Sequence, residues 1–122
     1  MDSHAPTNLM ITPEMLAAHG LTRNSVAASS FACTDPQALR IPTTGIARPR
    51  DYRIKWDTAG HLLRRIHDHE ALDPIVVTRR PGNCEFVLID GLHRLLIAIA
   101  MGFPSMPARL LSYESAAQYG FR

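Results

Sequence analysis

Asp90, His93 and Arg94 fall within five residues of one another, on either side of Gly91. A carboxylate, an imidazole and a guanidinium this close can accept a proton, bind a divalent cation or hold an anion. The stretch Leu88-Ile89-Asp90-Gly91-Leu92-His93-Arg94 runs into the apolar residues Leu95 to Met101, which end at Gly102. That order predicts a strand, a tight turn at Gly91, and a helix buried on all sides, with Gly102 as its left-handed cap. A helix N-terminus offers unpaired N–H groups and a partial positive charge. His93 and Arg94 in the first turn oppose that charge, so helix stability does not explain them. An anion at the turn, a phosphate above all, removes the conflict. The alternative is a surface turn with solvated side chains. Asp90 has two readings: a Mg²⁺ ligand or general base toward a substrate hydroxyl, or a cap of the turn.

Three further groups invite chemistry. Arg48, Arg50, Arg53 and Lys55 place four cations in eight residues, interleaved with Tyr52 and followed by Trp56. Such a segment suits a phosphate backbone or a nucleotide, and equally a solvated loop. Trp56 is expected in the core. His61 and Arg65 are four residues apart on a predicted helix and share a face. His67-Asp68-His69-Glu70 suggests a metal, but residues two apart on a helix point in nearly opposite directions, so a solvated helix end is expected instead. Cys33 and Cys84 form neither CxxC nor zinc spacing. They are expected as free thiols in a reducing compartment, the cytoplasm.

The elements that must position these groups can be read in order. With 122 residues, 46% apolar and 20% charged, the chain has the size and composition of one globular domain. No apolar run approaches the roughly 20 residues of a membrane span, so no membrane partner is expected. A net charge of +2 does not by itself imply a polyanion. Lys55 is the only lysine, and the abundant arginines suit forked recognition of phosphate. Thr12-Pro13-Glu14 starts a short helix that stops at Gly20. Residues 21–44 read mostly as loop, and Ile41 to Ile46 is expected to hold a short strand near Thr43-Thr44. A helix is predicted from Asp57 or Thr58 to His69, with Leu62, Leu63 and Ile66 as its core face. Ile75 to Thr78 is a β-branched strand, Arg79 to Asn83 a turn, and Glu85 to Ile89 a second strand. Pro107 to Leu111 is a last strand, and Ser112 caps a terminal helix to Tyr119. The order predicts an α/β (α+β) fold, a small mixed sheet packed with helices.

From Ile41 to Leu111 the chain resembles the ParB/sulfiredoxin superfamily, specifically the N-terminal domain of ParB-type partition proteins. Pro49-Arg50 before Trp56-Asp57 resembles the arginine-bearing segment ahead of the first family helix. Leu62-Leu63-Arg64-Arg65-Ile66 resembles that helix, and Leu72-Asp73-Pro74-Ile75-Val76-Val77 the strand after it. Phe86 to Arg94 resembles the strand and G-x-x-R phosphate motif, and Met106-Pro107-Ala108 the strand that follows. The resemblance implies a ParB N-terminal, sulfiredoxin-like fold that binds a nucleoside triphosphate, CTP or ATP, with Mg²⁺. Gly91 and Arg94 match the phosphate motif, and His93 the histidine of its sulfiredoxin-like version. His61 and Arg65 fall where relatives use first-helix side chains near the phosphates, and Arg50 matches the upstream arginine, a role open to Arg48 or Arg53 as well.

Leu92 stands where partition proteins carry a glutamate, and Leu96 where they carry a further arginine. Partition-type CTP hydrolysis is therefore not expected. Leu92 also replaces the sulfiredoxin cysteine, which argues against sulfinic-acid reduction. Asp90-Gly91-Leu92-His93-Arg94 is closer to the superfamily's free-serine kinases. Three segments are expected: an arm with a short helix over 1–40, a ParB-like domain over 41–112, and a tail over 113–122. The functional expectation is a stand-alone domain that binds nucleotide phosphates at the Asp90–Arg94 turn, with phosphoryl transfer or nucleotide hydrolysis through Asp90. The alternative is a non-enzymatic partition or regulatory module of a plasmid, phage or mobile element. Such a module meets DNA through Arg48, Arg53 and Lys55, or works beside a DNA-binding protein. A homodimer stays open in both.

Overall fold

A computed structural model describes residues 10–23, 31–49 and 52–119. Four helices and four strands follow one another: α1 (Pro13–Ala18), β1 (Leu39–Pro42), α2 (Trp56–His67), β2 (Ile75–Thr78), β3 (Val87–Asp90), α3 (Leu92–Met101), β4 (Ser105–Leu110) and α4 (Tyr113–Ala117). The strands form one mixed sheet in the order β1-β4-β2-β3. β2 and β4 run parallel in the middle, and β1 and β3 flank them antiparallel. The predicted class, a small mixed sheet with helices, is what forms.

Local signals place most of the elements. Thr12 caps α1, its hydroxyl accepting from the Met15 N–H, and Pro13 begins the helix. Ser112 caps α4 in the same way through the Ser115 N–H. α3 is buried at Leu95, Leu96, Ile97, Ala98, Ala100 and Met101, and Gly102 ends it in the left-handed conformation. The helix packs on β2 and is covered by α1 and α2. The core therefore sits where Ile75 and Val77 of β2 meet Leu95 and Ile97 of α3, with Leu16 and Leu63 above them. Nine-tenths or more of each of these side chains is out of water, and this burial supplies the main drive to fold.

The structure departs from the expected elements in four places. The first strand is Leu39–Pro42, which meets the expected stretch Ile41 to Ile46 only at Ile41 and Pro42 and ends before Thr43-Thr44. Ile41 is its inward residue, and Thr43 is buried with its hydroxyl donating to the Phe103 carbonyl. Residues 31–38 are not simply loop: Cys33 bridges to Leu72, and Phe31 meets Phe103 edge-on with centroids 4.8 Å apart. Trp56 is 44% exposed rather than core, because Ala59 and Leu63 take the buried face of α2. Finally, the hairpin's second strand begins at Val87, with Phe86 only partly buried.

Candidate functional site

β3 ends on Asp90, which pairs with Val76 of β2. Because the two strands are antiparallel, the carboxyl end of β3 lies at the amino end of β2. Gly91 then turns the chain into α3 with φ of 107° and ψ of 30°. A side chain is excluded there twice over. The backbone angle disfavours L-residues, and an added Cβ would lie 2.7 Å from Ile75 Cγ2 and 3.0 Å from Arg94 Nη2. The first intrahelical bond is Leu95 N–H to Gly91 C=O. The N–H groups of Leu92, His93 and Arg94 precede it, and Gly91, the N-cap residue, has no side chain with which to cap them.

A cavity of about 340 Å³ opens on this turn. β3 and the turn contribute Leu88 to Arg94, α2 contributes Thr58 and Leu62, and Pro49 closes one side. Asp90 is exposed at its rim, while Gly91, His93 and Arg94 are half-buried. Arg94 is held in place: Nη1 donates to the Asp73 carbonyl at 3.0 Å. Asp73 is itself fixed, its carboxylate accepting from the Thr34 hydroxyl at 2.7 Å. His93 accepts through Nε2 from the Lys55 backbone N–H at 2.8 Å. Burial, and then the nearby Lys55 charge, push the His93 pKa below the usual 6.5.

The structure thus brings Asp90, Gly91, His93 and Arg94 to one cavity. His61 and Arg65 are exposed on α2, within about 60° of Thr58 around the helix axis by the helical period. The Arg65 guanidinium is engaged further along, with Nε 3.3 Å from Glu70 Oε1 and Nη2 donating to the Ala71 carbonyl at 3.0 Å. Arg48, Arg53 and Lys55 are exposed, whereas Tyr52 and Ile54 pack partly against the core. Arg50 lies outside the described residues. His67 pairs with Asp68, Nδ1 to Oδ1 at 3.2 Å. Among the described residues no group of three or more histidines, cysteines or acids is placed to hold a metal. Cys33 and Cys84 are free thiols, and among the described residues no helix is long and apolar enough to cross a membrane.

Sequence reasoning missed Pro49, Thr58 and Leu62 as walls of the cavity, and missed the backbone groups of Lys55 and Asp73. The walls are ordinary helix and loop residues. The backbone groups have no residue-type signature, so no motif could have announced them.

No protein-family model matches the chain. In sequence it is similar to a serine kinase. Over 55 residues it is 36% identical to the ATP-dependent L-serine kinase of Desulfurococcus mucosus, a match covering 44% of this chain and 22% of the relative. The serine-kinase likeness expected from the Asp90–Arg94 turn is thus present as sequence similarity. Two solved structures of the chromosome-partitioning protein ParB from Caulobacter crescentus are also similar. The complex with CTP-gamma-S aligns with a TM-score of 0.49 at 20% identity, covering 68% of this chain and 49% of that one. The complex with the centromeric parS site aligns at 0.46, also at 20% identity, covering 68% and 44%. The chain spans about a fifth of the kinase and less than half of each ParB chain.

Proposed function

We propose that this domain binds the phosphates of a nucleoside triphosphate at the Gly91–Arg94 turn and transfers the terminal phosphoryl group. One observation carries the reading: the N-terminus of a ten-residue helix, with a glycine as its N-cap, opens into the cavity beside a guanidinium preset by the Asp73 carbonyl. The residues fit a phosphate. Gly91 lets the ligand approach the backbone, three N–H groups are available, and Arg94 offers a charged fork. The sequence similarity to an ATP-dependent kinase supports the same ligand class.

Asp90 would hold Mg²⁺, which would supply neutralisation of charge at the transferring group. In the alternative role, as general base, Asp90 would take the proton of an attacking hydroxyl. That oxygen bonds to the terminal phosphorus as the bond to the leaving diphosphate breaks. A small hydroxyl-bearing acceptor such as L-serine is the first to assay, and water is the acceptor if the reaction is hydrolysis. The direct test is calorimetric titration with CTP, ATP and GTP, each with and without Mg²⁺. Saturable heat from one of them supports the site, and no heat from any removes it. Asp90→Asn is expected to slow product formation by about 100-fold, the usual contribution of a general base, and, if Asp90 holds Mg²⁺, to weaken nucleotide binding with Mg²⁺ while leaving binding without it unchanged. Unchanged turnover would take Asp90 out of that role.

A second reading keeps a place because of the alternation at residues 52–55. Tyr52 and Ile54 turn inward, Arg53 and Lys55 are exposed, and so is Arg48 a few residues earlier in the chain. Such a row suits the backbone of DNA. If it serves that purpose, removing all three charges lowers the slope of log affinity against log salt by about 3. A slope that does not change removes DNA as the ligand of this row.

A further inference from the structure

Lys55 is the N-cap residue of helix α2, which begins at Trp56, and its side chain makes no capping hydrogen bond. The N–H of an N-cap residue has no partner inside its helix and needs an acceptor from elsewhere. Here the acceptor is His93 Nε2, 2.8 Å away and 38 residues along the chain. A backbone amide can only donate, so Nε2 must be bare and a neutral ring carries its proton on Nδ1. Protonating Nε2 would set one donor against another and break the bond.

This bond crosses between the two helices that wall the cavity. Thr58 and Leu62 come from α2, and Leu92 and Arg94 from α3. We infer that His93 is a positioning residue, a neutral acceptor that ties the start of α2 to the first turn of α3 and so sets the opening that admits the phosphates. This role rests on the nucleotide reading above and changes what His93 does within it. A histidine beside a phosphate motif invites the role of a cationic ligand. The two roles exclude one another at Nε2, because the tie needs a lone pair and a cationic contact needs a proton. Burial of the ring, together with the Lys55 charge, favours the neutral form that the tie requires.

Two variants of the full chain separate the roles. His93→Ala removes the acceptor. His93→Gln places an amide oxygen near the position of Nε2 and cannot become a cation. Titrated with Mg·ATP at neutral pH, His93→Ala is expected to bind about fivefold more weakly, and His93→Gln to return within about twofold of wild type, the scale of one hydrogen bond. In the ligand-free protein, the Lys55 amide resonance is expected to move with the imidazole titration, and Nε2 to show the nitrogen shift of an unprotonated site. If His93→Gln binds as weakly as His93→Ala, the ring acts on the ligand and the tie is overturned. A Lys55 amide that ignores the imidazole titration overturns it as well. Absence of binding by the wild-type chain is a different failure: it removes the nucleotide reading, and the positioning role goes with it.

Discussion

Arg94→Ala is expected to weaken nucleotide binding by about 100-fold while the domain stays folded. The guanidinium donates through Nη1 to the Asp73 carbonyl, and this holds the side chain against the turn. Its other donors can then meet a phosphate without a large loss of side-chain freedom on binding. A hydrogen bond to a charged group contributes about 1.5 kcal/mol or more, and two lost together correspond to roughly 100-fold in affinity. The cost to folding is smaller. Arg94 is half-buried, and losing its bond to a carbonyl costs about 1 kcal/mol. Arg94→Lys should not restore the site, because an ammonium keeps the charge and loses the planar fork. The measurement is calorimetric titration of all three proteins with the nucleotide that the wild type binds best, beside thermal melts. Wild-type affinity in Arg94→Ala would take the phosphates away from this turn.

How much of this could be read from residue types differs from element to element. α3 was legible because the polar first turn His93-Arg94 and seven consecutive apolar residues stand between two glycines, a pattern that fits a buried helix closed by a glycine cap. β2 was legible from Ile75-Val76-Val77, and α1 and α4 from their caps. β1 was misplaced for a physical reason. Only Ile41 of its four residues is buried, and what makes Leu39–Pro42 a strand is pairing with β4 more than sixty residues away. The bridge from Cys33 to Leu72 is non-local in the same way.

The candidate site divides along a similar line. Asp90, Gly91, His93 and Arg94 were found because the turn, the helix start and the charge conflict are all local. How the side chains are held was not visible. The Lys55 N–H and the Asp73 carbonyl belong to the backbone, and only folding brings them to His93 and Arg94. Arg65 shows the converse. Its place on α2 puts it on the same sector as Thr58, which lines the cavity, but α2 ends at His67, and the chain folds back so that Glu70 and Ala71 meet its guanidinium. Any ligand of Arg65 has to compete with that carboxylate.

Gly91→Ala is expected to harm both fold and site, and the comparison with Gly102→Ala makes the cause measurable. At Gly91 φ is 107°, beyond the region where even asparagine is at ease, and the new methyl would stand 2.7 Å from Ile75 Cγ2. Ile75 is fully buried in a central strand and has nowhere to move. Backbone strain and overpacking together should cost about 3 kcal/mol. Gly102 has φ of 79°, and its added methyl would meet the Arg23 guanidinium at 3.2 Å, the far end of a flexible side chain. There the cost should be about 1 kcal/mol, from backbone conformation alone. Chemical denaturation of both variants reads the difference as a shift in midpoint at constant slope. The effect on the ligand should diverge further. The Gly91 methyl would also lie 3.0 Å from Arg94 Nη2, so it displaces the fork and fills the approach to the helix N–H groups. Nucleotide affinity should then fall in Gly91→Ala even where the variant is folded, and stay at the wild-type value in Gly102→Ala. Equal affinities in the two would place the phosphates away from the turn, whatever the two stabilities prove to be.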